Sequence, residues 1–236
     1  LRLDVTDQVS IDEAMAVADS WVRLAGDVGR LVGLVNNAGV LAVGPFEELP
    51  SDAVDRVLDT NLHGTFAVTR AVLPRLRGHG GRIVCVSSSS GLGGLPTWSA
   101  YAASKWGVEG WAESLAHELP PWGGGVAIVE PASVRTGLWD LGAVHGDPDG
   151  PYASLVESVE AGDDRAWARA LDPASVSATM VAVTEGRRGL RHPVGLTARV
   201  RFAARGIVPA GVQRRIISRL THQPSSVASP RHPDGV

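Results

Sequence analysis

The chain has 236 residues with 44% hydrophobic content, enough to bury one sizeable core in a single domain. Its one cysteine, Cys85, excludes an internal disulfide and a cysteine-based metal site; seven scattered histidines offer no ligand spacing, and no apolar run is long enough to cross a bilayer. The net charge of −3 hides an uneven split: residues 1–185 carry 12 basic and 24 acidic groups, while residues 186–236 carry ten arginines against Asp234 alone. Without interleaved aromatics this basic end does not read as a base-stacking surface, and it is expected to pack on the acidic body or stay solvated. Leu1-Arg2-Leu3-Asp4 does not read as a signal peptide, and a reducing, cytoplasmic setting is expected.

In chain order, residues 11–28 read as an amphipathic helix opened by Ser10, and residues 31–35 as a short buried parallel strand followed by an Asn36-Asn37-Ala38-Gly39 loop. Ser51 or Asp52 caps a helix running to about Arg77, with Asn61 among its inward positions. A strand from Arg82 to Ser87 leads into a Ser/Gly-rich loop, and a helix follows from Ala100 to Leu119, stopped by Pro120-Pro121. Val126 to Glu130 is a third strand, ended by Pro131. Residues 137–172, polar and punctuated by Gly, Asp and Pro, suit a partly helical mobile lid. Asp172 starts a helix to Glu185, Pro193-Val194 suits a short edge strand, and Ile207 to Leu220 suits a basic amphipathic helix. One domain over 1–222 and a disordered tail over 223–236 are expected. Strands alternating with helices predict an α/β fold with a doubly wound parallel sheet, in which ligands bind at the carboxyl ends of the strands.

One pair of residues carries the chemistry. Lys105 is the lone lysine among 22 basic residues, and it follows Tyr101, one of two tyrosines, by four places. That spacing puts both on one helix face. A tyrosine used as acid and base must ionise more easily than its ordinary pKa of about 10 allows. A compact ammonium beside it can assist while still bonding a ligand, which a guanidinium does less well. Ser88 precedes Tyr101 by 13 residues, and Asn61 lies on the preceding helix.

The ordered set of Asn-Asn-Ala-Gly after a strand, Asn61 in a helix, Ser88, Tyr101 and Lys105, and a strand ending at Pro131 resembles the short-chain dehydrogenase/reductase family of the classical type. The resemblance is strong over residues 1–136 and loose beyond. It implies a Rossmann-like, three-layer α/β/α fold and an NAD or NADP cofactor. It also implies an oxidoreductase that interconverts a secondary alcohol with a ketone or aldehyde, in which Tyr101 moves the proton, Lys105 lowers its pKa and holds the nicotinamide ribose, and Ser88 fixes the substrate oxygen. Asn61 matches the asparagine that holds a water for proton relay. Asp4, Asn37, Ala38, Gly39, Pro131, Val134 and Thr136 match cofactor-contacting positions, and Asn36 a position that stabilises the sheet. Ala132 stands where the family usually has glycine.

The family's fold opens with a βαβα segment carrying a Gly-rich phosphate cradle, and no such turn precedes Asp4, so an N-terminally incomplete fold is expected. The strand ending at Val35 is then expected to present an unpaired edge, and this stretch by itself to bind dinucleotide weakly. A small apolar substrate, steroid-like, retinoid-like or fatty, and a homodimer or homotetramer through the helices bearing Asn61 and Tyr101 are implied, with Trp106 and Trp111 as apolar anchors. Trp98, Trp139, Tyr152 and Trp167 are candidate pocket-lining residues. Two other readings stand beside the enzyme: a catalytically inactive homologue that serves as a binding or scaffold protein, and a membrane-surface protein using residues 199–220, where arginines alternate with Phe202, Ile207, Ile216, Ile217 and Leu220. Neither nucleic acid nor a metal is expected.

Overall fold

A computed structural model of the chain describes residues 2–26, 29–77, 80–138, 143–186 and 188–220. A four-stranded parallel sheet runs in the order β1-β3-β4-β6, from Gly33–Asn36, Arg82–Val86, Gly125–Pro131 and Arg191–Val194. Two further short strands, β2 (Ala42–Val43) and β5 (Ala143–Val144), pair in parallel beside it.

Period-two alternation decides which side chain goes to which face. Ile83 and Cys85 of β3 and Val126 and Ile128 of β4 point to one side, where they meet Ile11, Val68, Val72, Val108, Ala112 and Leu115. These come from helices α1 (Gln8–Leu24), α3 (Gly64–Leu76) and α4 (Ser99–Glu118). Val84, Ala127 and Val129 point to the other side and meet Val176 and Val183 of α6 (Pro173–Thr184). Strands buried on both faces read as continuous apolar runs, which is why β3 and β4 were legible. The result is three layers, α/β/α. β1 is an edge strand, paired to β3 on one side, and Val35 on it is 42% exposed.

Several boundaries differ from the sequence reading. Asp7, not Ser10, caps α1: its carboxylate accepts from the amides of Val9 and Ser10, while Ser10 Oγ accepts from Asp4 N at 2.9 Å. The helix expected over 51–77 is α2 (Ser51–Leu58) and α3 joined by a wide π turn over Asp59–His63. The segment 137–172 holds β5 and helix α5 (Ala153–Ala168), and it is pinned where Tyr152 Oη donates to Glu47 Oε2 at 2.8 Å and Asp147 N to Glu48 Oε2 at 3.1 Å. The C-terminal basic stretch is two helices, α7 (Leu196–Ala204) and α8 (Ala210–Leu220). Sequence reading missed α7 and began the last helix at Ile207; Gly206 (φ +84°) and Pro209 separate the two helices, and α8 starts after the proline. Trp139 and residues 223–236 lie outside the described residues.

Candidate active site

A cleft of about 690 Å³ opens at the carboxyl ends of β1, β3 and β4, where a doubly wound sheet places its ligands. Asn37, Ala38 and Gly39 line it from the loop after β1, Ser88 after β3, and Pro131, Val134 and Thr136 from the end of β4 onward. Tyr101 and Lys105 line it from the first two turns of α4. The structure thus brings together all but two of the predicted site residues.

The exceptions are Asp4 and Asn61, which do not line the cleft. Asp4 sits at the entry to α1, where Oδ1 accepts from Thr6 N at 2.9 Å and Thr6 Oγ1 at 2.7 Å; these bonds hold its carboxyl below the usual carboxylate range. Asn61, 1% exposed, lies just behind the cleft. Its Oδ1 accepts from Val40 N at 2.8 Å, and its Nδ2 donates to Val40 O at 3.0 Å and Ser104 Oγ at 3.0 Å. Ser104 Oγ in turn donates to Tyr101 O at 2.7 Å. The side chain therefore clasps the loop after β1 to the helix that carries the tyrosine. Sequence reading missed Ser104, though its position one residue before Lys105 and three after Tyr101 marks the same turn.

Asn61 faces inward one turn after the buried Val57, and the π turn that contains it shifts the facing of the positions that follow. Gly39 completes the close packing: a Cβ there would come within 3.3 Å of Asn61 Oδ1 and 3.7 Å of Lys105 Nζ. Asn36 donates to Thr69 Oγ1 at 2.8 Å, tying β1 to α3. Ala132 is accommodated without strain: positive φ outside glycine occurs at Thr97 alone among the described residues. Gly195 (φ +91°) makes the room, since a Cβ on it would stand 3.1 Å from Ala132 Cβ and 2.9 Å from Leu171 Cδ1.

Lys105 Nζ donates to Val86 O at 2.9 Å and lies 5.7 Å from the centre of the Tyr101 ring. Burial drives its pKa down to about 8, because the charged form loses its water. Burial pushes the Tyr101 phenol up to about 12, and a hydrogen bond with Ser88 works the other way. The expected lowering of the phenol by Lys105 is not seen in this geometry: burial raises it, and the influence that lowers it comes from Ser88. Ser88 Oγ also accepts from Ser90 N at 3.1 Å, which turns the loop into a short 3-10 segment, Ser89–Gly91.

Of the four expected pocket aromatics, Trp98 lines the cleft and stacks edge-on against Tyr101, ring centres 5.7 Å apart. Tyr152 bonds Glu47 and Trp167 is exposed, and neither lines it. Leu95, Leu138, Val176 and Met180 complete an apolar wall that was not read from the sequence; nothing in their spacing links them, since the loop after β3, the segment after β4 and α6 each bring part of it.

The residues fit a nicotinamide and its ribose. A buried ammonium, a tyrosine hydroxyl and a serine hydroxyl line a cleft that is apolar at Leu41, Leu95, Trp98 and Met180 and polar at Asn37, Ser133 and Ser177. Among the described residues no group of three or more His, Cys, Asp or Glu is placed to hold a metal. No helix among them is long and apolar enough to cross a membrane.

Comparison with known proteins agrees with this geometry. The chain is 32% identical to the uncharacterized oxidoreductase YusZ of Bacillus subtilis over 225 residues, covering 92% of this chain and 78% of that one. It is 36% identical to estradiol 17-beta-dehydrogenase 1 of Rattus norvegicus over 185 residues, 75% of this chain but only 51% of the relative. A short-chain dehydrogenase structure from Streptomyces avermitilis superimposes with a TM-score of 0.70 at 32% identity, covering 94% of this chain and 76% of that one. One from Burkholderia cenocepacia, solved in complex with NADP, gives 0.62 at 26%, covering 84% and 76%. Residues 1–141 match the family model for short chain dehydrogenase. With the sheet order, the cleft and the sequence similarity in agreement, the chain belongs to the short chain dehydrogenase family.

Proposed function

We propose that the protein is an NAD(P)-dependent oxidoreductase that interconverts a secondary alcohol and a ketone or aldehyde. The observation that carries this is the convergence of Ser88, Tyr101 and Lys105 on one cleft at the carboxyl end of the sheet. Family membership and the NADP in the Burkholderia relative support it. A bound nicotinamide supplies the hydride chemistry.

The chain's own residues do the rest. Ser88 Oγ donates to the substrate oxygen and fixes it. Tyr101 Oη gives that oxygen its proton as alkoxide character develops, and in the opposite direction takes the hydroxyl proton. Lys105, anchored on Val86 O, keeps the remaining donors of its ammonium for the ribose hydroxyls and the phenol oxygen. Trp98, Leu95, Leu138 and Met180 favour an apolar substrate body. Asn61 acts as a positioning residue. The test is a panel of ketones and alcohols with NADH, NADPH and their oxidised forms; Tyr101→Phe should reduce turnover at least about a thousandfold while cofactor affinity changes less than about threefold. Turnover equal to the parent would remove Tyr101 from the proton-transfer role.

A second reading, contact with an anionic membrane surface, is favoured by α7, α8 and the segment between them, where Leu196 and Ile207 are each 79% exposed and Val200 and Ile216 are more than half exposed. Arg201 and Arg205, counted on that surface in the sequence reading, are instead turned toward the body of the protein. Flotation with vesicles containing phosphatidylserine, with and without residues 199–236, tests it.

A further inference from the structure

Arginine in the C-terminal segment reads from the sequence as a solvated or lipid-facing charge. Arg201 is neither. Its Nη1 donates to Ser89 O at 3.0 Å and to Gly93 O at 3.1 Å, across the loop that begins with Ser88. Among the described residues no carboxylate lies within 4 Å of it, so the guanidinium is held by carbonyls alone. A third loop carbonyl, Ser90 O, accepts from Trp106 Nε1 at 2.9 Å. Backbone carbonyls on a turn of this kind need partners once they leave water, and here side chains from α7 and α4 supply them.

The position of Arg201 is itself fixed. At the C-cap of that helix, Arg205 Nη1 approaches Glu109 Oε2 at 3.7 Å, and Arg191 at the start of β6 bonds Glu109 and Glu113 at 2.8 and 2.9 Å. Glu109 and Glu113 lie on α4, one and two turns beyond Lys105. Ala198, fully buried, seats the inner face of α7. So α7 holds the Ser88 loop with one arginine and the tyrosine helix with the next. From this we infer that Arg201 is a positioning residue for the reaction: α7 is a brace that sets where Ser88 Oγ stands relative to Tyr101 Oη. The role rests on the oxidoreductase reading of Ser88 and Tyr101 given above.

The physical argument is one of geometry. Ser88 must meet both a substrate oxygen and the tyrosine hydroxyl, whose proton affinity it already lowers. Short polar contacts weaken steeply with misalignment, and a displacement of about 1 Å in a reacting constellation can reduce the rate a hundredfold. A loop of Ser, Gly and Leu, Ser88-Ser89-Ser90-Gly91-Leu92-Gly93-Gly94, has little stiffness of its own. Two bonds from one guanidinium nitrogen, spanning the five residues from Ser89 to Gly93, supply it.

The experiment is a double-mutant cycle on the full chain. Arg201→Met alone should lower kcat for ketone reduction about tenfold with less than about twofold change in cofactor Kd, and Arg201→Lys, able to reach one carbonyl, should recover part of that loss. In a Ser88→Ala background, Arg201→Met should have less than about a twofold effect, because the group it positions is gone. Equal losses in both backgrounds would reduce Arg201 to a stabilising residue and overturn the inference. Hydrogen exchange gives a readout that needs no turnover: the amides of Gly91 and Leu92, bonded to Ser88 O and Ser89 O, should exchange about tenfold faster in Arg201→Met while those of β3 and β4 stay unchanged. A wild-type chain that turned over no alcohol or ketone would fail the proposed function, and the exchange result would still decide whether Arg201 holds the loop. Unchanged exchange at Gly91 and Leu92 would overturn the brace.

Discussion

Burial inverts the order in which Tyr101 and Lys105 would lose their protons. Free in water the phenol gives up its proton slightly before the ammonium, at about 10 against 10.4; here the ammonium releases its proton at about 8 and the phenol at about 12. Both shifts come first from desolvation, which penalises whichever form is charged. The pair is thus set up as a donor hydroxyl beside a readily discharged amine.

That inversion gives a pH profile with a definite sign. Ketone reduction needs the phenol protonated and the lysine charged. The phenol stays protonated up to about 12, so the first group to fail on raising the pH is Lys105, near 8. The value of kcat/KM for reduction should be level below that pH and fall above it, and Lys105→Met should show a low, level profile from about pH 6 to about pH 10. A break near 8 that persists in Lys105→Met would exclude the lysine as its source.

Asn61→Ala should destabilise the fold by about 3 kcal/mol, because Val40 N, Val40 O and Ser104 Oγ all lose a buried partner. Urea unfolding measures it directly. A loss below about 1 kcal/mol would mean that water takes over these contacts.

Glu130 makes stability depend on pH in the opposite sense from an ordinary ion-paired carboxylate. It is fully buried on β4, with Oε2 accepting from His192 N at 2.8 Å and Oε1 lacking a partner among the described residues. Burial, aided by the nearby Glu109, raises its carboxyl from 4.5 to about 8. The folded chain therefore keeps a proton that the unfolded chain has released, and stability drains away as pH rises from 4.5 through 8. Glu130→Gln preserves the acceptor for His192 and removes that dependence. Its melting temperature should exceed the parent's by about 5 °C near pH 8 and by little near pH 5. Parallel melting curves across that range would contradict the assignment.

Glycines in the serine loop should differ sharply in tolerance. A Cβ on Gly91 would come within 2.5 Å of Ser87 Oγ and 3.1 Å of Glu109 Cγ, whereas one on Gly94 meets nothing within 4 Å. Gly91→Ala should lower both stability and turnover, and Gly94→Ala should leave the melting temperature within about 2 °C. Thermal melts of the two variants, run side by side, check this.

Much of the fold was legible because two periodicities dominate it. The apolar runs of β3 and β4 and the stop at Pro131 mark buried parallel strands, and Asp172 before Pro173 marks the start of α6, where the aspartate does accept from Ala174 N at 2.8 Å. The placing of Ser88, Tyr101 and Lys105 on one cleft was legible from spacing, because one strand end and one helix face fix it. The proton affinities of that pair were not, since spacing says nothing of how much water burial removes. Nor was the destination of the C-terminal arginines: Arg201, Arg205 and Arg191 find their partners 78 to 112 residues away in sequence. Asp4 was read from a motif alone, and the turn it closes with Thr6 is local chemistry that any aspartate two residues ahead of a threonine can make.

One long rod, widened at Asp59–His63, serves two separate cores. Ahead of that turn, Ala53 and Val57 fill a small cluster with Leu49 and Ala100; beyond it, Val68, Val72 and Leu76 fill the main core under the sheet. Deleting a single residue from this stretch would rotate everything downstream by about 100°, swinging one stripe out into solvent. Length changes in this rod are therefore far less tolerable than substitutions, and any natural variation in its length should come in whole-turn increments.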